Sequence, residues 1–560
     1  MQPAPPHPNR QPGLAPAMPS QAMTSQAMPS QALPSQAMAP PAMPLAPRPA
    51  AGFEAARNNL FWLLAALPGL PFLLLALLPP INHDVAAVLN FSGRWLAGER
   101  LYVDLIDVNP PLIFILNLIP AAFGAVLPIS AVHGFILCVL ALMAGAGVAL
   151  WRLLPALGLP PLPRQVTLAA LGLTMLGAGY DFGQREHLMV ICALPYLMLA
   201  TLRAEGRQPG PRLRLAVTIM AALGFALKPH FLAIPALVEL WVLCCLGPRR
   251  ALRDPVPWIM AAIWALYLLS LPTLFPAYLT QVVPLVVDNY LALGGLNWWQ
   301  VLFTERMLPA ALLLLAVLPM AFRGGPPLTR AVALAALGGF IAAWVQHRGW
   351  SYHVLPARLF LGLAVALVAA HWLGRALVPA RAERTAAPAA AIAAAALAFF
   401  HLLGNEAPYR QVTWSWSRGG MLAEQLRQEA HGERLLVLSP DIFPVYPALN
   451  YAQAQSTLRT MTLWLLQGVY GQCPRNGARY REPWEMSRTE FFVYRTVAED
   501  FARAPPTAIL IADRAGIPAC DGRKFDIISY FSRHPLFAEA FSHYRRASEF
   551  EGYKLYRREE

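Results

Sequence analysis

Apolar runs close to the length of a bilayer crossing, roughly 17–25 residues, recur along this chain from Leu60 to about Leu403. They fall at 59–79, 110–127, 131–151, 165–179, 188–202, 214–227, 230–247, 256–275, 307–322, 330–346, 354–374 and 387–404. The pattern predicts a mainly α, polytopic bundle of about 11–13 transmembrane spans. Arginine gathers in the connections 203–214 ("RAEGRQPGPRLR"), 248–253 ("PRRALR"), 323–330 and 375–384 ("RALVPARAER"). Basic connections of this kind face the cytoplasm. That places 81–109, 180–187, 228–230, 276–306, 346–353 and everything after 405 outside. Arg48 and Arg57, flanking the first run, put the N-terminus inside. One count does not close: three runs lie between the outer segments 81–109 and 180–187, where an even number is required. Three resolutions are open. One run does not cross, the proline-rich "LLPALGLPPLPRQ" at 153–165 holds a short or re-entrant piece, or Arg152 and Arg164 do not mark the inner side.

The two ends of the chain break the pattern. Residues 1–57 carry "AMPSQAMTSQAMPSQALPSQAMAPPAM", a five-residue repeat rich in proline and poor in bulky apolar side chains. Such a segment cannot bury enough surface to fold, so a disordered cytoplasmic tail is expected, and it lacks the basic start and apolar core of a signal peptide. The membrane domain is expected at 58–404, with 81–109 as its first outer loop. Residues 405–560 have ordinary charge. There "ERLLVLSPD" (433–441) and "TAILIAD" (507–513) are short apolar runs ending in an acid, as buried strands do, and "RTVAEDFARAP" (495–505) reads as a helix closing at Pro505. A small α/β domain on the outer, periplasmic side is expected.

Composition sharpens this picture. The 560 residues are 57% hydrophobic and 13% charged, where a soluble domain is about one quarter charged. The net charge of +13 is carried by the loop arginines, and no basic stripe interleaved with aromatics is present, so nucleic acid is not an expected partner. Arginine-rich, lysine-poor usage suggests a bacterial, GC-rich source. Of the six cysteines, Cys138, Cys192, Cys244 and Cys245 lie in apolar segments, while Cys473 and Cys520 lie in the outer part, where an oxidising compartment would allow them to pair.

Ionisable residues at membrane level are expensive and tend to mark function. They collect here in four outer segments. The first is "NHDVAAVLNFSGRWLAGERLYVDLIDVNPPL" (82–112), with a surface helix expected at 84–97. Its Asp84, Asp104 and Asp107 are candidates for a general base or for ligands of a divalent ion; helix capping is the alternative, best suited to Asp107. The second, "YDFGQREHLM" (180–189), packs Asp181, Arg185, Glu186 and His187 against a span, more charge than a capped turn requires. The third, "ALKPHF" (226–231), holds Lys228, a rare lysine, beside His230. Snorkelling to a headgroup and an anion contact both remain open for it. The fourth, "QHRGWSYHVLPAR" (346–358), holds Arg348, Tyr352 and His353. An outer arginine opposes the positive-inside bias and calls for an anionic partner such as phosphate.

The order "HD…LAGERLYVDLIDVNPPL", "GQREHL", "LKPHFLAIP", "WSYHVLPA" resembles the GT-C superfamily of membrane glycosyltransferases, in the group of protein mannosyltransferases and lipid A aminoarabinose transferases. Asp84 matches the acid of the first outer loop, with Val85 where many relatives have Glu. Asn109-Pro110-Pro111-Leu112 matches the proline element, Glu186 the second acid, Lys228 the lysine, and Tyr352 and Pro356 the late loop. The resemblance implies an inverting transfer at the outer face of a bacterial cytoplasmic membrane. A polyprenyl-phosphate sugar is the donor, and a hydroxyl of a glycan, lipid or protein is the acceptor. Asp84 would be the base. Arg185, Lys228 and Arg348 would neutralise the donor phosphate. Asp104, Asp107 and Glu186 would position the acceptor or hold Mg or Mn. A transporter or flippase of lipid-linked sugars is the rival; such proteins show paired repeats and mid-membrane charge, and this chain shows neither.

Overall fold

The computed structural model describes residues 51–290, 295–404, 408–474, 477–520 and 522–559. The expected disordered tail lies, up to residue 50, outside the described residues. The chain divides into units at 1–54 and 55–560, and the second spans both the helical bundle and the C-terminal domain.

The membrane part is built from α1 (Ala51–Ala66), α2 (Gly69–Leu77), α3 (His83–Leu96), α4 (Pro111–Val126), α5 (Ala131–Leu153), α6 (Pro161–Leu176), α7 (Arg185–Ala204), α8 (Pro211–Ala226), α9 (Ala233–Leu246), the short α10 (Pro248–Ala251), α11 (Pro255–Leu274), the short α12 (Val283–Leu285), α13 (Met307–Phe322), α14 (Pro327–Trp344), α15 (Ser351–Ala376) and α16 (Pro379–Gly404). Among the described residues eight helical stretches are long and apolar enough to cross a membrane, so the protein is a multi-pass membrane protein. Proline opens many of these helices, at a position whose N–H has no helical partner. The innermost helix is α7, 94% buried along its apolar window, whereas Ala56–Leu77 and Pro255–Leu274 are 11% buried and present their apolar faces to lipid. Small residues let the inner helices touch. A Cβ on Gly338 would lie 2.6 Å from Ile234 Cα, and one on Gly339 would lie 2.8 Å from the Ala357 nitrogen. Glycine there brings α14 against both α9 and α15.

At its start, α4 meets a cavity lined by Asn109, and at its end Leu127 lines another with Asn450, Gln453 and Gln455. Both cavities border the C-terminal domain. So both ends of α4, about 24 Å long by its 16 residues, lie beside the C-terminal domain. The far end of α5 meets Arg207, just beyond α7, which donates to the carbonyls of Ala156 and Leu157. Among the described residues α4 and α13 are shorter apolar helices and are not among the eight long enough to cross. The expected surface helix at 84–97 is α3.

The remaining chain forms α17 (Tyr409–Val412), α18 (Arg418–Glu429), β1 (Arg434–Leu438), α19 (Val445–Tyr451), β2 (Gln455–Ser456), α20 (Trp464–Val469), α21 (Arg488–Arg503), β3 (Ala508–Ala512), α22 (Ile527–Phe531), α23 (Pro535–Ser542), β4 (Tyr544–Phe550) and β5 (Tyr553–Arg558). The two apolar runs read from the sequence are β1 and β3, parallel neighbours at the centre of a sheet ordered β2-β1-β3-β5-β4, with β5 antiparallel to both β3 and β4. Cys473 and Cys520 form a disulfide. This domain is bound to the first loop. Arg94 of α3 is buried, pairs with Glu99 at 2.6 Å and donates to the Leu458 carbonyl at 2.8 Å. Asn450 donates to the Ala86 carbonyl at 3.0 Å, and the Ile106 amide donates to the Arg459 carbonyl at 2.6 Å.

Candidate active site

Where this domain meets the bundle, a cavity of about 580 Å³ opens. His83 and Asp84 enter it from the first turn of α3, Arg185 from that of α7, and Ser351 and Tyr352 from that of α15; Asn109 lies just ahead of α4. Several helix N-termini therefore border one cavity, and each carries partial positive charge. The far wall comes from the α/β domain, through Asp441, Thr462, Trp464 and Gln467.

Asp84 is held in place by a short network. Asn82 caps α3 by accepting from the Asp84 amide at 2.9 Å. The same oxygen accepts from Gln184 Nε2 at 2.8 Å, and Asn82 donates to Asp181 at 3.1 Å. Gln184 also donates to Asp84 Oδ2 at 3.1 Å, while His83 Nε2 stands 3.7 Å from Oδ1. Burial pushes the Asp84 carboxyl up, but His83, Arg185, Gln184 and Lys228 outweigh it and hold the pKa below the usual carboxylate value. Asp107 is the opposite case. Burial raises its pKa, the nearby Asp84 charge adds to this, and neither the Asn109 hydrogen bonds nor Arg185 cancels the rise. Two carboxyls in one cavity are thus pushed apart, as in sites that separate an ionised group from a protonated one. Arg185 lies in the field of both, and its buried Nη1 makes no hydrogen bond.

Of the residues singled out in the sequence, Asp84, Asp107, Asp181, Arg185 and Tyr352 meet in the cavity. Asp107 accepts from the amide and side chain of Asn109 at 2.9 and 2.7 Å and does not cap α4, whose N-cap is Pro110. Asp104 is elsewhere, in an exposed turn where it pairs with Arg100 at 3.0 Å. Glu186 and Lys228 lie one layer behind and pair with each other at 2.6 Å; the Lys228 ammonium also sits 5.1 Å from the centre of the Tyr352 ring. Arg348 is buried over the rings of Tyr290 (4.1 Å) and Trp350 (4.7 Å) and donates to the Tyr290 carbonyl. His353 stacks on Trp350 behind Tyr352. His187 accepts from the Gly183 amide at 3.0 Å and donates to the Met175 carbonyl at 2.5 Å, so both ring nitrogens tie the turn before α7. His230 packs on Phe231, outside the cavity lining. As for Mg or Mn, Asp104, Asp107 and Glu186 have separate surroundings, and no set of three His, Cys, Asp or Glu side chains among the described residues is placed to hold a metal ion.

Other lining residues escaped the sequence reading. His83 hydrogen-bonds Tyr180 at 2.9 Å, and the Arg410 guanidinium lies 4.0 Å from the centre of that ring. Gln184, which holds Asn82 and Asp84 from behind the lining, stood inside the quoted "YDFGQREHLM", where charge drew attention to its neighbours. Tyr290, Arg306 and the α/β-domain residues had no local signal.

No protein-family model matches the chain, and no curated protein matches it. Among solved structures it is similar to ArnT from Cupriavidus metallidurans, in crystal structures bound to undecaprenyl phosphate and in the apo state. Each overlaps with a TM-score of 0.52 and 12% identity, over 90% of this chain and 98% of that one. The arabinofuranosyltransferase AftD from mycobacteria, seen by cryo-EM, overlaps at a TM-score of 0.43 with 17% identity, over 89% of this chain and 40% of that one. The chain shares the fold of these ArnT structures.

Proposed function

We propose that this protein is an inverting glycosyltransferase that moves a sugar from a polyprenyl-phosphate donor to an acceptor hydroxyl. The reaction takes place at the outer face of a bacterial cytoplasmic membrane. One observation carries the reading: a carboxylate held ionised, Asp84, and a guanidinium with an unused donor, Arg185, face one cavity at the bundle end covered by the α/β domain. The arginine-rich connections are expected on the inner side, which supports the cavity end, covered by the α/β domain, as the outer one. The ArnT structure with undecaprenyl phosphate, of the same fold, supports a donor of this class.

In this reading the acceptor oxygen attacks the anomeric carbon from the face opposite the phosphate. The new bond joins that carbon to the acceptor oxygen, the carbon–oxygen bond to the phosphate breaks, and the hydroxyl proton passes to Asp84. Charge accumulates on the departing phosphate, where Arg185 and the converging helix N-termini stabilise it. Lys228 and Arg348 add positive potential from behind. Asp107 hydrogen-bonds the acceptor. A positioned base contributes about 10²–10⁴-fold, so Asp84→Asn lowers transfer by that factor in purified, reconstituted protein while undecaprenyl phosphate still binds. Wild-type transfer by Asp84→Asn would remove Asp84 as the base. Translocation of a lipid-linked sugar without any transfer would replace the enzyme with a flippase.

A further inference from the structure

The α/β domain carries a second depression that this reaction scheme does not use. The sheet topology fixes its place. β1 and β3 are parallel neighbours; the chain leaves β1 for β2 on one side and β3 for the β4–β5 pair on the other. In open α/β sheets such a reversal marks the ligand crevice, outside the carboxyl ends of the two strands. Both strands here run on into an acid, β1 to Asp441 and β3 to Asp513, with Arg514 following. Together with Arg418, Glu551 and Tyr553 they border a cavity of about 550 Å³. Pro440, Asp441 and Phe443 line both this cavity and the candidate active site, so the two chambers share a wall.

The chemistry of the crevice selects a class of ligand. Asp513 pairs with Lys554 at 2.7 Å and Arg418 lies 4.0 Å from Glu551, while Asp441 and Arg514 form no ion pair among the described residues. The lining holds three acids, Asp441, Asp513 and Glu551, against two bases, Arg418 and Arg514, which gives a phosphate no net attraction, and it holds no aliphatic wall for a polyprenyl chain. Exposed carboxylates that accept, guanidinium groups that donate, and the part-exposed ring of Phe443 match a neutral polyol with hydroxyl edges and apolar C–H faces.

We propose that this crevice binds the acceptor, a neutral oligosaccharide, and that the acceptor's reactive end passes Asp441 into the active site. The inference rests on the glycosyltransferase reading. The test uses the full chain in detergent, saturation-transfer NMR with maltotriose, mannotriose, cellotriose and chitotriose in turn, and a parallel undecaprenyl phosphate binding assay. At least one trisaccharide binds. Arg514→Ala and Asp513→Asn, at exposed positions, each weaken it on the order of tenfold, as loss of a charged hydrogen bond does, and leave undecaprenyl phosphate binding unchanged. If no trisaccharide binds, or if binding survives both substitutions, the crevice is not the acceptor site. Protein that binds undecaprenyl phosphate but no trisaccharide loses this inference alone. Protein that binds a trisaccharide through Arg514 but not undecaprenyl phosphate keeps the crevice and loses the donor assignment.

Discussion

Lys228 offers the sharpest contrast between a structural and a phosphate-binding role. Its ammonium lies 2.6 Å from Glu186 Oε1, the Glu186 side chain is fully buried, and Glu186 Oε2 has no hydrogen-bond partner. At an effective dielectric of 20 the attraction is on the order of 6 kcal/mol. Removing one partner leaves the other charge buried and unpaired, at about 3–5 kcal/mol. Lys228→Met strands the carboxylate. Glu186→Gln strands the ammonium within the field of Arg185, so it is the more harmful change. At about 0.9 °C per kcal/mol for a chain of this size, from about 2.1 cal/mol/K per residue, each single variant unfolds about 3–4 °C lower. The double variant unfolds no lower than either single one, because both charges are gone. Thermal midpoints of the four proteins in one detergent, with donor KM for each, decide the matter. A Lys228→Met midpoint within about 1 °C of wild type, together with a raised donor KM, would refute the structural role and return Lys228 to the phosphate.

The raised Asp107 pKa means that its ionised form weakens the fold, so the stability it supports is present at low pH and is lost as pH rises through the folded pKa. Asp107→Asn therefore unfolds at a higher temperature than wild type at pH 8 and at the same temperature at pH 4, while transfer falls; a pH-independent difference would contradict this. Asp104→Asn changes the midpoint by less than about 1 kcal/mol equivalent and leaves transfer intact, since its pairing with Arg100 is exposed; a loss of transfer would bring Asp104 back into the site. The Cys473–Cys520 disulfide closes a loop of 47 residues, worth about 4 kcal/mol in the chain-entropy account. Double substitution to Ser lowers the midpoint of the α/β domain, and a scan that matches wild type would contradict the bond.

Much of the fold was legible because hydropathy is a one-dimensional signal. Ala131–Leu153 and Ser351–Ala376 announce themselves by length and composition, and "RLLVL" and "AILIA" by their apolar runs. What hydropathy cannot report is direction. α4 is as apolar as a span, yet both its ends lie beside the C-terminal domain, and nothing within 110–127 encodes those contacts. The same limit governs the site. Charge density singled out Asp84 and Arg185, which do face the cavity, and equally Glu186 and His187, which the first turns of α7 carry away from it.

Consecutive residues at a helix start point in different directions, about 100° apart, so "REH" places Arg185 in the cavity, Glu186 on Lys228 and His187 on Met175. A charged cluster in a sequence therefore marks a helix end, and only the packing of its neighbours decides which member does chemistry. Asp104 and Asp107 show this most plainly. The residue next to the proline element looked like a cap, and the one further away like a site residue. The turn at Arg100 folds Asp104 back onto the surface, while the hydrogen bonds from Asn109 turn Asp107 inward beside Asp84 and Arg185. Because Ile106 is itself bonded to Arg459, the orientation of Asp107 depends on a domain that begins some three hundred residues later in the chain. The α/β domain thus shapes the acid-bearing loop as well as covering it, and a truncation at residue 405 would disturb Asp107 even though every charged residue of the four outer segments remained.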